Sequence, residues 1–145
     1  MTFRLETLLK LRKNQEKEEI KKVAIVNAHL IKQKQNLRFV SELEQKNFLS
    51  LDNEIRGNPS SNVLWLYNNF FEGSRYQGQR SKVIISEAEE KLELRRKDLT
   101  KAIRQRKTLE FLKEKESESL KKKIFKRELE ALDESASNLW KRVRR

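Results

Sequence analysis

The single proline of this chain, Pro59, sits inside the run Gly57-Asn58-Pro59-Ser60-Ser61-Asn62, and charged, leucine-spaced sequence extends on both sides of it. A concentration of residues that end helices, flanked by long stretches without proline, predicts two very long helices folded back at one turn. Two such helices enclose no cleft for a small substrate. Function must then be sought in what the helices touch.

Charged residues make up 39% of the chain and hydrophobic residues 36%, so the apolar supply suffices for a stripe and not for a globular core. Abundant Lys, Glu, Arg, Leu and Gln with few glycines match long helices and coiled coils, because a disordered chain would lack regularly spaced leucines. The expectation is an elongated all-α molecule. It is read as one coiled-coil domain over 1–145, with helix 1 at about 3–56, a turn at 57–62 and helix 2 at about 63–143. The net charge of +12 suits nucleic acid, anionic lipid or an acidic protein surface without choosing among them.

With no cysteine, disulfides, thiolate metal sites and thiol nucleophiles are excluded. The opening Met1-Thr2-Phe3-Arg4-Leu5-Glu6 mixes charge with leucine and develops no signal-peptide apolar run. Val23 to Val26 and Val63 to Leu66, the most apolar stretches, fall far short of the roughly 20 residues that span a bilayer. A soluble, cytoplasmic protein is expected.

In the first helix Leu5, Leu9, Ile20, Val23, Leu30, Leu37, Phe48, Leu51 and Ile55 recur at mixed spacings of three and four. Asn27, Lys34, Ser41 and Glu44 are read as polar interruptions of that seam, and no unique heptad register emerges. After the turn, Ser61 or Asn62 is placed to cap the second helix, with Val63, Leu66, Tyr67, Phe70 and Phe71 on one face and Trp65 elsewhere. Gly73 and Gly78 predict a bend or frayed joint. The stripe then resumes through Ile85, Ala88, Leu92, Leu99, Ala102, Leu109, Leu120, Phe125, Leu129, Leu132, Ala136, Leu139 and Val143, interrupted by Arg95, Arg106, Lys113 and Glu116. Antiparallel pairing within the chain is the cheapest burial of both stripes, with the longer second helix overhanging; a parallel dimer of an open chain is the competing geometry.

Catalytic chemistry finds no foothold. His29 stands alone with no HExxH-like spacing, the adjacent carboxylates Glu89-Glu90 and Asp133-Glu134 point apart on a helix, and no phosphate-cradling glycine loop exists. The reading is a non-enzyme without cofactor, metal or small-molecule substrate. Basic clusters at Arg95-Arg96-Lys97, Lys121-Lys122-Lys123 and Lys141-Arg142-Val143-Arg144-Arg145 could neutralise phosphates, but interleaved acids disfavour a nucleic-acid partner. The patch of Phe3, Leu5, Leu8, Leu9 and Leu11 with Arg4, Lys10, Arg12 and Lys13 suits a membrane surface or a protein equally. Trp65, Tyr67, Phe70 and Phe71 exceed what one seam requires, which leaves a packed cap of the turn and an interface anchor both open.

Three stretches stand out: Phe3-Arg4-Leu5-Glu6-Thr7-Leu8-Leu9-Lys10-Leu11-Arg12, Ser61-Asn62 followed by Trp65, Tyr67, Phe70 and Phe71, and Leu132-Asp133-Glu134-Ser135-Ala136. Together they resemble the FliJ family of the bacterial flagellar type III export apparatus, along nearly the whole chain. The resemblance implies an antiparallel helical hairpin similar to the central shaft of rotary ATPases, which binds and stimulates the export ATPase ring without hydrolysing anything itself. It further implies contact with the cytoplasmic domain of the export-gate membrane protein, recycling of export chaperones, and peripheral association through partners with the cytoplasmic face of the inner membrane at the flagellar base. On that reading Leu5, Leu8, Leu9, Arg12, Leu129, Leu132, Asp133, Ala136 and Leu139 are the expected ring contacts. Phe48, Trp65, Tyr67, Phe70 and Phe71 are the expected gate contacts. Gly73, Ser74, Gln77 and Gly78 depart from the apolar helix face that the family more often continues there. The equivalent stalk of a virulence secretion system, or a basic coiled-coil adaptor or nucleic-acid-binding protein, are the alternative readings.

Overall fold

The computed structural model describes residues 4–144, and the chain there forms an all-α antiparallel hairpin of two helices. Helix α1 spans Glu6–Arg56 (51 residues) and helix α2 spans Ser61–Val143 (83 residues). The expected helix start at Phe3 and the final basic residue Arg145 lie outside the described residues. The chain divides into two compact units, Glu18–Thr100 and Met1–Lys17 with Lys101–Arg145.

In the unit Glu18–Thr100 the less exposed positions of α1 alternate strictly by three and four: Glu19, Val23, Val26, Leu30, Gln33, Leu37, Val40, Glu44, Asn47 and Leu51. That single period is a heptad seam. Its counterpart on α2 includes Tyr67, Phe71, Ser74, Gly78, Ser81, Ile85, Ala88, Leu92, Arg95 and Leu99. The best-packed section is the cluster of Val26, Leu30, Ala88 and Leu92, with Val23 and Ile85 against it. Lys34 pairs with Glu89 beside that cluster at 3.1 Å.

The seam takes a different path from the one the sequence suggests. Ile20, Phe48 and Ile55 are exposed, as are Asn27, Lys34 and Ser41, while Arg12, Glu16, Glu19, Gln33 and Asn47 occupy seam positions that were not anticipated. Constant spacing outweighs residue identity here, because long polar side chains can cover apolar neighbours with their stems and still send their heads to water. Arg95 and Arg106 do interrupt the α2 stripe as expected, both half-buried. Leu66 is exposed and leaves the face it was assigned to.

At the turn, Asn58 takes the left-handed conformation (φ 60°) and Gly57 does not. Asparagine is the residue after glycine best suited to that region, so it closes α1, and Pro59 cannot continue the helix. The cap of α2 is Ser60, whose Oγ accepts from the Val63 amide at 3.4 Å, one residue before the expected Ser61 and two before Asn62. Gly73 and Gly78 interrupt nothing: α2 runs unbroken through both, and neither glycine has a positive φ.

In the unit containing both chain ends, Leu9 is the most deeply buried side chain at 2% exposure, and Ala102 and Leu109 are buried with it. Glu6, the first residue of α1, accepts a hydrogen bond from Lys113. Thirty residues of α2 follow Lys113 up to Val143, a length of about 45 Å, and all but Leu120 are exposed.

Candidate partner-binding surfaces

Four of the five expected gate contacts gather in one aromatic cluster beside the turn. The rings of Phe70 and Phe71 meet edge to face at 5.5 Å, Phe48 approaches Phe71 from α1 at 6.2 Å, and Tyr67 stacks on Phe71 at 6.5 Å. These are ordinary aromatic pair geometries, each contributing about 0.5–1.5 kcal/mol beyond burial. Phe71 is the hub that packs the hairpin. Phe48 nevertheless remains 64% exposed, and with Leu49, Leu51, Asn68, Phe71 and Arg75 it lines an open groove of about 800 Å³. Trp65 joins neither the cluster nor that groove and stands 63% exposed, with Leu64 and Leu66 exposed on either side. The packing reading and the interface reading therefore divide among residues: Phe70 and Phe71 serve the first, Trp65 is free for the second.

The expected ring contacts fall into two separate stretches. Leu5 is exposed, Leu8 and Arg12 are half-buried, and Leu9 is a core residue of the hairpin. Arg12 donates from Nη1 to Gln105 and to Gln15, both at 2.9 Å. Next to it lies a polar knot. Arg106 donates from Nε to Glu16 and from Nη1 to Glu110 at 2.6 Å, while Lys13 reaches Glu110 at 3.8 Å. Those two carboxylates push the Arg106 guanidinium pKa further above its ordinary value, so it stays cationic in a position the surrounding seam leaves largely covered. Glu6 is shifted the opposite way, its carboxyl held below the ordinary value by the hydrogen bond from Lys113.

Leu129, Leu132, Asp133, Ala136 and Leu139 lie on the part of α2 that continues past Lys113, and all five are exposed. Leu129 is sixteen residues beyond Lys113, about 24 Å along the helix, so the structure does not bring the two stretches opposite each other. Phe125, Trp140 and Val143, which were not among the expected contacts, are exposed on the same segment. Phe125 and Val143 continue the three-four spacing of Leu129, Leu132, Ala136 and Leu139, a signal already present in the sequence. Arg144 covers the ring of Trp140, with its guanidinium carbon 4.2 Å from the centroid.

Among the described residues, no group of three or more His, Cys, Asp or Glu side chains could hold a metal ion. No described helix is long and apolar enough to cross a membrane. What the geometry offers is contact surface: an exposed helical segment with an apolar stripe, and an aromatic corner with one free tryptophan.

Comparison with curated proteins and with solved structures returned no match. The family model described as the flagellar FliJ protein matches residues 1–145, the full length of the chain. The chain therefore belongs to the FliJ family, non-catalytic components of the flagellar protein-export apparatus.

Proposed function

We propose that this chain is the stalk of the flagellar export apparatus, binding and stimulating the export ATPase ring through the exposed end of α2. The observation that carries the reading is the thirty-residue stretch after Lys113, whose Leu129, Leu132 and Leu139 are left without cover. Apolar side chains in a row on a water-exposed helix are costly unless a partner covers them, each large one contributing about 1.5–3 kcal/mol when fully buried. Lys141, Arg142 and Arg144 give the end of the segment a basic character suited to an acidic lining or to the carbonyl ends of helices. Ala136 lies within the stripe and Asp133 beside it, while Leu5, Leu8 and Arg12 sit where the paired helices begin and Leu9 supports them from within.

The second surface of the proposal is the aromatic corner, docking on the cytoplasmic domain of the export gate. Trp65 is the anchor, Phe48 is a second exposed ring against Phe71, and Tyr67, Phe70 and Phe71 hold the helices that present them. Export chaperones are escorted partners in the same scheme, and association with the inner membrane at the flagellar base follows from these partners. The test is binding and ATP turnover of the cognate export ATPase, and separately binding of the gate domain. Trp65→Ala should weaken gate binding alone, whereas glutamates at Leu132 and Leu139 should weaken ATPase binding alone; loss of both activities by either variant would refute the division into two surfaces.

A further inference from the structure

The exposed end of α2 carries a pattern that fits a second copy of itself. Phe125, Leu129, Leu132, Ala136, Leu139 and Val143 follow one another at spacings of four, three, four, three and four, so they form a single seam in which the core positions of a heptad alternate. The seam is nearly symmetric about its midpoint. If two such helices run antiparallel, Phe125 lies level with Val143, Leu129 with Leu139 and Leu132 with Ala136, and every layer joins one kind of core position to the other. Each layer sets a larger side chain beside a smaller or equal one, and the smallest residue, Ala136, faces a leucine.

The flanking charges choose between the two possible directions. In the antiparallel arrangement the positions just before one set of core residues face each other, which brings Glu128 of each copy to Arg142 of the other and Ser135 to Ser135. On the opposite flank Lys126 lies level with Trp140, whose ring Arg144 of its own chain covers, and Asp133 meets Asp133 at the centre. Two opposite-charge pairs therefore oppose a single like-charge pair. In a parallel arrangement Glu128 would face Asp133 on both sides, giving repulsion and no compensating pair. The hairpin itself uses the same device, with Lys34 pairing with Glu89 and Lys13 with Glu110 beside its own seam.

We infer that residues Phe125–Val143 form a short antiparallel coiled coil with the same segment of a second chain. The seam covers fewer than three heptads, below the length that sustains a tight coiled coil, so the association is weak and reversible. Such pairing covers the apolar stripe while the chain is free, and a partner that needs the stripe has to displace the second copy. The inference stands on this segment alone and does not require that the partner be an ATPase.

The absence of cysteine from the chain makes the direction testable. Full-length Leu132→Cys and Ala136→Cys chains, distinguishable by a mass tag, are mixed and oxidised. Antiparallel pairing predicts mixed Leu132→Cys with Ala136→Cys disulfides several-fold in excess over either homodimer, and loss of that excess when Arg142→Glu is added to both chains. Adding Glu128→Arg as well should restore it. Predominance of the two homodimers would overturn the proposed direction, and a mixed product no more abundant than that from outward-facing Glu134→Cys chains would overturn the association itself. Because no ATPase is present, failure here leaves the stalk reading untouched.

Discussion

Glu6 Oε2 accepts a hydrogen bond from Lys113 Nζ at 2.8 Å, and this pair marks the point where α1 begins and α2 continues past it. Everything the account asks of the far end of α2 depends on that mismatch of lengths. The same pair gives a pH signature. Lys113 lowers the Glu6 carboxyl pKa from its ordinary value, so the folded pair contributes stability above the unfolded carboxyl pKa, about 4.3, and loses it as pH falls through the lower folded value. A carboxyl NMR titration should show Glu6 titrating below the ordinary glutamate value, and Lys113→Met should return it to that value. A wild-type Glu6 that titrates at the ordinary glutamate value would show that the pair does not form in solution.

Arg106 is the cation of a partly covered network with Glu16 and Glu110, and its removal leaves Glu16 at the seam without its partner and Glu110 with Lys13 alone. Arg106→Leu should lower the urea midpoint and speed amide exchange around Leu9 and Leu109. The double variant Glu16→Leu/Arg106→Leu should recover that loss or exceed the wild type, since well-packed apolar residues often match or surpass a covered ion pair. A double variant weaker than the single one would show that the network contributes more than it costs.

The turn offers a backbone test. Asn58 occupies the left-handed region, so Asn58→Gly should leave stability within a few tenths of a kcal/mol, while Asn58→Val should cost about 1–2 kcal/mol. Gly57, with φ outside that region and an added Cβ at an ordinary 3.5 Å from the Glu54 carbonyl, should accept alanine. Thermal unfolding followed by circular dichroism separates the three variants, and the reverse ranking would mean that glycine, not asparagine, makes the turn.

Gly73 and Gly78 lie inside an unbroken helix, and nothing stands within 4 Å of a Cβ added to either. Gly73→Ala and Gly78→Ala should therefore each raise stability by about 0.5–1 kcal/mol through the unfolded chain and helix propensity. A loss of gate binding in these stabilised variants would reveal that softness at this point is used; unchanged binding would make the glycines incidental.

The two helices and their turn were legible because Pro59 and its neighbours are the only strong interruption and because leucine spacing reports helical periodicity over many turns. The family was legible from three short stretches, no one of which would have sufficed to identify it. The seam register was not, since it runs through Arg12, Glu16, Glu19, Gln33 and Asn47, and a reading that follows apolar residues drifts to Ile20, Phe48 and Ile55 instead. Only the packing of Val26, Leu30, Ala88 and Leu92 fixes the phase from which the polar positions follow. Among the candidate contacts, helical spacing already set Trp65 apart from the face of Phe70 and Phe71, and the structure has that ring exposed while the other two pack. Leu9 and Leu132 looked equivalent as leucines of a stripe, yet one is 2% exposed and the other 69%. The difference arises from helix length, which determines whether a partner helix is present at all.

The most direct test of the stalk reading is ATP turnover by the cognate export ATPase with the wild-type chain and with Leu132→Glu/Leu139→Glu, both confirmed helical by circular dichroism. The account predicts stimulation by the wild type at stoichiometric amounts. Two leucines lost from a buried contact at about 1.5 kcal/mol or more each should weaken docking by roughly a hundredfold, so the double variant should not stimulate at the same concentration. Equal stimulation by both chains would contradict the claim that the free end of α2 engages the ring.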